Sequence, residues 1–485
     1  MTGEMNHPFE DDRGRHAAWA IDDPEPTNLV ALWPDAQPPS RMEVFTAFAS
    51  VAGESVEVID DVGERSPEFE WASIIKVPGF DRPIAVWTEA ARPMGEAELE
   101  VAGGVRCPWV VGIEGVLEEV DPLRDYTGLM RLLLRALPDA PAILDVTTSR
   151  WTSRDSLDSM FERESVEPPA DVLWIVEARR RDDDHARPCW LRTRGLARCG
   201  RPELEMLDVP GPETETAAQV LSGMASMLFE SEPPDPGVTW LIGHELGVTL
   251  VPWESLAEDV AERVVGGPVD RMHDGDVPSA VVCDVDGDGG GPDLTRLSPA
   301  RVIHRLAGED ACGLYWTERA TRRQSDLARA GWDQFATAWA AMRRSGTLDE
   351  EQPPAVFGLK AGYPIADRPE LNHEHIWFRV RGFVDDGVEA ELVNEPVHDV
   401  GLTAGDRAVV DPDRVADWLV VTKYGSFGPA DVPGMWHAVD RLRAERDACD
   451  PANPANPANR ANAPADPDSG SGPADSDASE SGGAG

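Results

Sequence analysis

Apolar positions along the first 345 residues switch repeatedly between the period of a strand and the period of a helix. Leu29 to Trp33 is an unbroken apolar run, which predicts a buried strand. Ser40 and Glu43 form a capping box ahead of Val44, Phe45 and Phe48, so a helix follows. Trp71 to Val77 and Pro83 to Trp87 flank Pro78-Gly79-Phe80-Asp81, whose proline and glycine supply turn geometry and make the pair a hairpin. Pro108 to Ile113 predicts another strand. Asp121-Pro122 starts a helix that carries Leu123, Tyr126, Met130, Leu133, Leu134 and Leu137 on one stripe, and Ala142 to Val146 returns as a strand.

From 172 to 207 the pattern is strand upon strand: Val172 to Val176, Cys189 to Thr193 and Leu204 to Leu207. A helix over about 215–229 carries Val220, Leu221, Met224 and Leu228 on one face, and strands follow at Val238 to Ile242, Val248 to Val251 and Val281 to Cys283. A long helix over about 318–343 aligns Ala328, Trp332, Phe335, Trp339 and Met342. Gly346 to Pro354, with Asp349-Glu350-Glu351 and two prolines, is the clearest internal break. Dense strand patterning resumes after it, and the richest stretch is 373–418, where polar residues and tryptophans recur together.

These patterns predict an α+β protein. A flexible leader (1–26) precedes an α+β domain (27–265) with a strand–helix extension of the same region (266–345). A linker (346–356) leads to a small β-rich domain (357–446), and 447–485 is a low-complexity tail of Pro-Ala-Asn repeats and acids, disordered by composition.

Composition changes this picture in two ways. With 44 basic against 89 acidic residues the net charge is −45, which repels nucleic acid and anionic membrane surfaces and excludes both as partners. Only Lys76, Lys360 and Lys423 are lysines, so arginine fills 41 of the 44 basic positions. The six cysteines are scattered without a CxxC pair, and no window approaches the ~18 apolar residues of a membrane span. The expectation is a soluble cytoplasmic protein with free thiols and no cofactor.

Candidate chemistry gathers in the 373–418 stretch. Glu374, Asn394 and Asp417 are the residue types that line a polar pocket, with His375 and Lys360 joining them, while Trp377 and Trp418 read as packing anchors. A lysine kept where arginine is the rule fits a narrow apolar slot, since its amine tolerates burial by shifting its pKa. His373 and His375 alternate onto one strand face and form a weak metal pair that His398 would complete; the plainer reading leaves both histidines in solvent. Arg192 and Arg194 also share a strand face, so they are candidate anion ligands, against the commoner outcome of cross-strand ion pairs with Glu203 and Glu205. Asp284 to Gly289 matches half a calcium loop, but Thr295 stands where the bidentate glutamate belongs.

Phe357-Gly358-Leu359-Lys360, Glu374-His375-Ile376-Trp377, Leu392-Val393-Asn394-Glu395-Pro396, Gly405-Asp406 and Asp417-Trp418 occur in an order that resembles the bacterial domain of unknown function 2314, over about 351–440. Trp190 to Glu205, with Gly195, Gly200 and Pro202-Glu203-Leu204-Glu205, is similar to the domain of unknown function 4026. That pattern favours histidines where this chain has Arg192 and Arg194, so the resemblance implies no metal role for the strand. Neither family implies an activity. The reading that results is a non-enzymatic protein that binds an unknown protein or small molecule; the alternative is a metal-dependent or acid/base hydrolase using Glu374, His375 and Asp417.

Overall fold

The computed structural model describes residues 19, 21, 24–61, 69–118, 120–271, 277–285, 292–307, 314–346, 348, 353–366 and 373–449. It is an α+β arrangement of helices around three sheets. The tail from 450, most of the leader, residues 347 and 349–352 of the linker, and the glycine-rich half of the calcium-like loop lie outside the described residues.

The first sheet is built from β1 (Thr27–Trp33), β2 (Glu57–Asp61), β3 (Trp71–Lys76), β4 (Ile84–Ala90), β5 (Trp109–Gly115), β6 (Ala142–Asp145) and β7 (Arg150–Ser153), in the order β2-β3-β4-β5-β1-β6-β7. The apolar run at Leu29 to Trp33 is continuous because both faces of β1 are covered: Leu29 and Ala31 enter the main core, Val30 and Leu32 a smaller one behind it. Helices α1 (Arg41–Ala52) and α3 (Pro122–Ala136) contribute to the main core. Both begin as the sequence predicts. Ser40 Oγ accepts from Glu43 N at 3.3 Å while Ser40 N donates to the Glu43 carboxylate, and Asp121 accepts from Arg124 N with Pro122 in the first turn. Between them lies α2 (Glu96–Val101), and α4 (Arg154–Phe161) follows β7.

The second sheet comprises β8 (Ile175–Arg179), β9 (Cys189–Arg194), β10 (Glu203–Val209), β11 (Thr239–Gly243), β12 (Leu246–Pro252), β13 (Ser279–Val285) and β14 (Pro292–Asp293). Its path runs β11-β12-β13-β10-β9-β8, with β14 on β13, and β10 with β13 is the one parallel pairing among the described strands. Helix α5 (Thr214–Glu230) buries Val220, Leu221, Met224 and Leu228 against it, as its spacing predicts. Helices α6 (Trp253–Leu256) and α7 (Ala300–Ala307) flank the sheet. One hydrophobic core, from Trp19 to Ile303, serves both the first and second sheets. Trp19 belongs to it: although it falls in the stretch expected to be a loose leader, its indole is 4% exposed and donates to Pro234 O at 2.9 Å.

Helix α8 (Glu318–Arg344) leads to the third sheet, β15 (Ala355–Pro364), β16 (His373–Val384), β17 (Gly387–Leu392), β18 (Arg407–Val410), β19 (Val415–Thr422) and β20 (Gly425–Phe427), ordered β18-β17-β16-β15-β19-β20. A last helix, α9 (Val432–Cys449), closes the described chain. The break placed at 346–356 assigns α8 to the preceding region, and its packing differs. Ala328, Phe335, Ala338 and Met342 join the core of the third sheet, with Met435, Val439 and Leu442 of α9 beside them. Amphipathic spacing identified the buried face of α8 but carries no information about which sheet that face meets. The strand reading of 357–446 also omits α9, although Val432, Met435, Val439 and Leu442 stand at helical spacing.

Candidate functional site

Strand alternation sorts the third sheet into a covered face and an open one. On β15, Ala355, Phe357, Leu359 and Ala361 point into the core beneath α8 and α9, so Val356, Gly358, Lys360 and Gly362 point the other way. Register then fixes Lys360's neighbours. It stands opposite Trp377 on β16 and opposite Asp417 on β19. Both flanking glycines keep the floor low: a Cβ at Gly358 would lie 3.6 Å from the Trp377 ring, and one at Gly362 3.4 Å from the His375 imidazole.

Lys360 Nζ sits 5.2 Å from the Trp316 ring centroid and 5.8 Å from that of Trp377, so the amine lies between two indoles. Neither a hydrogen bond nor an ion pair ties Nζ to any group among the described residues. Burial lowers its pKa from the usual lysine value, and the charge of Asp417 only partly opposes that. Asp417 is raised above the ordinary carboxylate range by burial, against hydrogen bonds from Gln324 Nε2 (2.8 Å) and Trp418 N (2.7 Å) and the attraction of Lys360. His375, two residues before Trp377 on the same face, is held below its usual value by surrounding protein atoms, then by Lys360 and His373. The sequence reading missed Trp316 and Gln324. Both precede the expected boundary, and nothing local marks a tryptophan before a helix cap as part of a site on another sheet.

The remaining residues expected in this pocket do not join it. Glu374 is opposite Tyr363, on the covered face, where its carboxylate accepts from Val397 N at 2.7 Å and His398 N at 2.9 Å. It holds the loop after β17 in place. Asn394 is exposed on that loop, two residues beyond the strand end, and no contact brings it to Lys360. Glu374 and Asp417 therefore occupy opposite faces of one sheet and share no reaction centre, which removes the geometry that an acid/base hydrolase built on them requires. His373 and His375 do share a face. His398 lies beyond Glu374 on the other side, and among the described residues no group of three histidine, cysteine or acidic side chains converges as metal ligands. Trp377 and Trp418 divide their roles: Trp377 walls the open site, while Trp418 is fully buried and donates from Nε1 to Ala328 O at 3.1 Å.

Arg192 and Arg194 are engaged within the fold. Arg192 Nε is 3.5 Å from Glu205, which Arg271 also grips, and Arg194 Nη1 is 3.2 Å from Glu177. Glu203 is held by a hydroxyl and two backbone amides. It is buried on Thr193 Oγ1 and the amides of Gly195 and Ala197, with its pKa raised by that burial. Arg198 instead crosses to the first sheet and pairs with Asp145 through two hydrogen bonds of 3.1 and 2.8 Å, both groups buried, with the Tyr126 hydroxyl donating to the same carboxylate.

Two family models match the chain. Residues 176–283, from β8 to β13, match one described as a protein of unknown function (DUF4026), C-terminal. Residues 329–448 match one described as an uncharacterized protein conserved in bacteria (DUF2314). The second match begins within α8, in keeping with the packing of that helix on the third sheet. No curated protein and no solved structure shows significant similarity to this chain.

Proposed function

We propose that this chain is a binding protein, and that its C-terminal segment recognises a small molecule on the open face of the third sheet. One observation carries the reading: a lysine amine held between Trp316 and Trp377, without a hydrogen-bond acceptor among the described residues. An ammonium in such a place has unused donors, and a ligand carbonyl or carboxylate supplies what they lack. The indoles offer flat apolar walls, the glycine-lowered floor gives room, and Asp417 with Gln324 presents a polar edge. Thermal-shift measurements with small carboxylates, amides and aldehydes test it. Binding at this site raises the melting temperature of the native chain and leaves Lys360→Met unmoved. Ligands that shift both proteins alike, or neither, overturn the reading.

A further inference from the structure

The same amine has the surroundings of a nucleophile. We propose that Lys360 captures a carbonyl compound covalently, as a reversible imine with an aldehyde or ketone. This deepens the recognition reading above and rests on it, because it names the chemical class that the site between Trp316 and Trp377 takes.

Three independent observations converge. The first is the residue itself: in a chain with arginine at 41 of its 44 basic positions, the amine, which alone of the two cations has an accessible neutral form, stands here. The second is placement. Lys360 projects from the middle of a central strand with two indoles beside it, and burial there favours the neutral amine, the form that attacks a carbonyl. The third is the neighbour. Asp417 faces it across the β15–β19 pair without closing an ion pair that would lock the ammonium, and its own burial favours a carboxyl able to carry a proton. Gln324 orients that carboxyl from α8. The charged or titratable groups that act on Lys360 and its surroundings are Asp417 from β19 and His375 and His373 from β16.

The step balances within these groups. The amine lone pair forms the C–N bond as the carbonyl π pair moves to oxygen. The two protons of the amine end on that oxygen, relayed by Asp417, and depart with it as water, leaving C=N. No oxidant or reductant is required.

The other two lysines are internal references. Lys423 is exposed and bonded to Glu445, which raises its pKa and keeps it an ammonium; Lys76 is exposed at the end of β3. The full chain is incubated at pH 7 with glyoxylate and, separately, with benzaldehyde, each with cyanoborohydride to trap any imine as a stable amine. Peptide mass mapping then reads each lysine. The expected result is an adduct on Lys360 that accumulates several times faster than on Lys423 or Lys76. Labelling of Lys360 at their rate or below it overturns the proposal. If that occurs while ligands still stabilise the native chain and not Lys360→Met, the imine falls and the recognition reading stands; if neither effect occurs, both fall.

Discussion

Asp417 and Trp418 are adjacent in the chain and serve opposite faces of β19. The carboxylate points to Lys360 on the open face, and the indole is fully buried, with its ring 5.1 Å from that of Phe335. Helix α8 holds both: Gln324 donates to Asp417 at 2.8 Å, and one turn later Ala328 O accepts from Trp418 Nε1 at 3.1 Å. The polar edge of the site and the centre of the core beneath it are thus positioned by a single helix.

Trp418 is accordingly expected to dominate the stability of this segment. Trp418→Ala should cost about 3 to 5 kcal/mol in denaturant unfolding, the range for a large buried aromatic. Gly331 of α8 reports on the same packing from the other side. A Cβ there would meet the Trp418 ring at 2.9 Å, so Gly331→Ala should destabilise even though alanine is the better helix former by about 1 kcal/mol. A gain in stability would show that the helix and indole sit further apart.

The Arg198–Asp145 pair should behave as a buried ion pair between two sheets. Removing either partner alone, as in Asp145→Asn or Arg198→Met, leaves an uncompensated buried group and is expected to cost about 3 to 5 kcal/mol. The double substitution Asp145→Leu with Arg198→Met should cost less than the sum, and a double-mutant cycle by chemical denaturation measures that difference.

Glu374 distinguishes an anchor from a reacting group. Glu374→Ala leaves the amides of Val397 and His398 without their acceptor, so the loss should be about 1 to 3 kcal/mol. Hydrogen exchange at those two amides should accelerate ahead of the rest of the sheet. Ligand stabilisation at Lys360 should persist, since the carboxylate is on the other face.

The two buried groups of the site make opposite contributions to pH dependence. Lys360 is lowered in the folded chain, so between its folded value and the ordinary 10.5 the unfolded chain binds more protons and stability rises with pH. Lys360→Met should flatten that alkaline rise. Asp417 is raised, so from the ordinary 3.8 upward to its folded value the folded chain binds more protons and stability falls with pH. Asp417→Asn should remove that acid-range fall. Melting temperatures measured across pH in wild type and both variants read the two signs separately.

Much of the local architecture was legible because it depends on short-range chemistry. The Ser40–Glu43 box, the Asp121-Pro122 helix start, the hairpin around Pro78-Gly79 and the stripes of α5 and α8 are all set by neighbours within a few residues. Alternation likewise put His373 and His375 on one strand face, and Lys360 drew notice from composition alone.

What the chain could not disclose by itself is what each surface meets. Placing Lys360 opposite both Trp377 and Asp417 requires the register of three strands, and bringing Trp316 and Gln324 to them requires α8 to cross to the third sheet. Arg198 crosses its own sheet's carboxylates to reach Asp145, 53 residues earlier in the chain. Local propensity and periodicity determined the elements, their caps and their buried faces, because those follow from backbone sterics and solvent exclusion over a few residues. Only the tertiary structure decided which residues share a site, because long-range register and helix docking are set by the packing of whole faces at once.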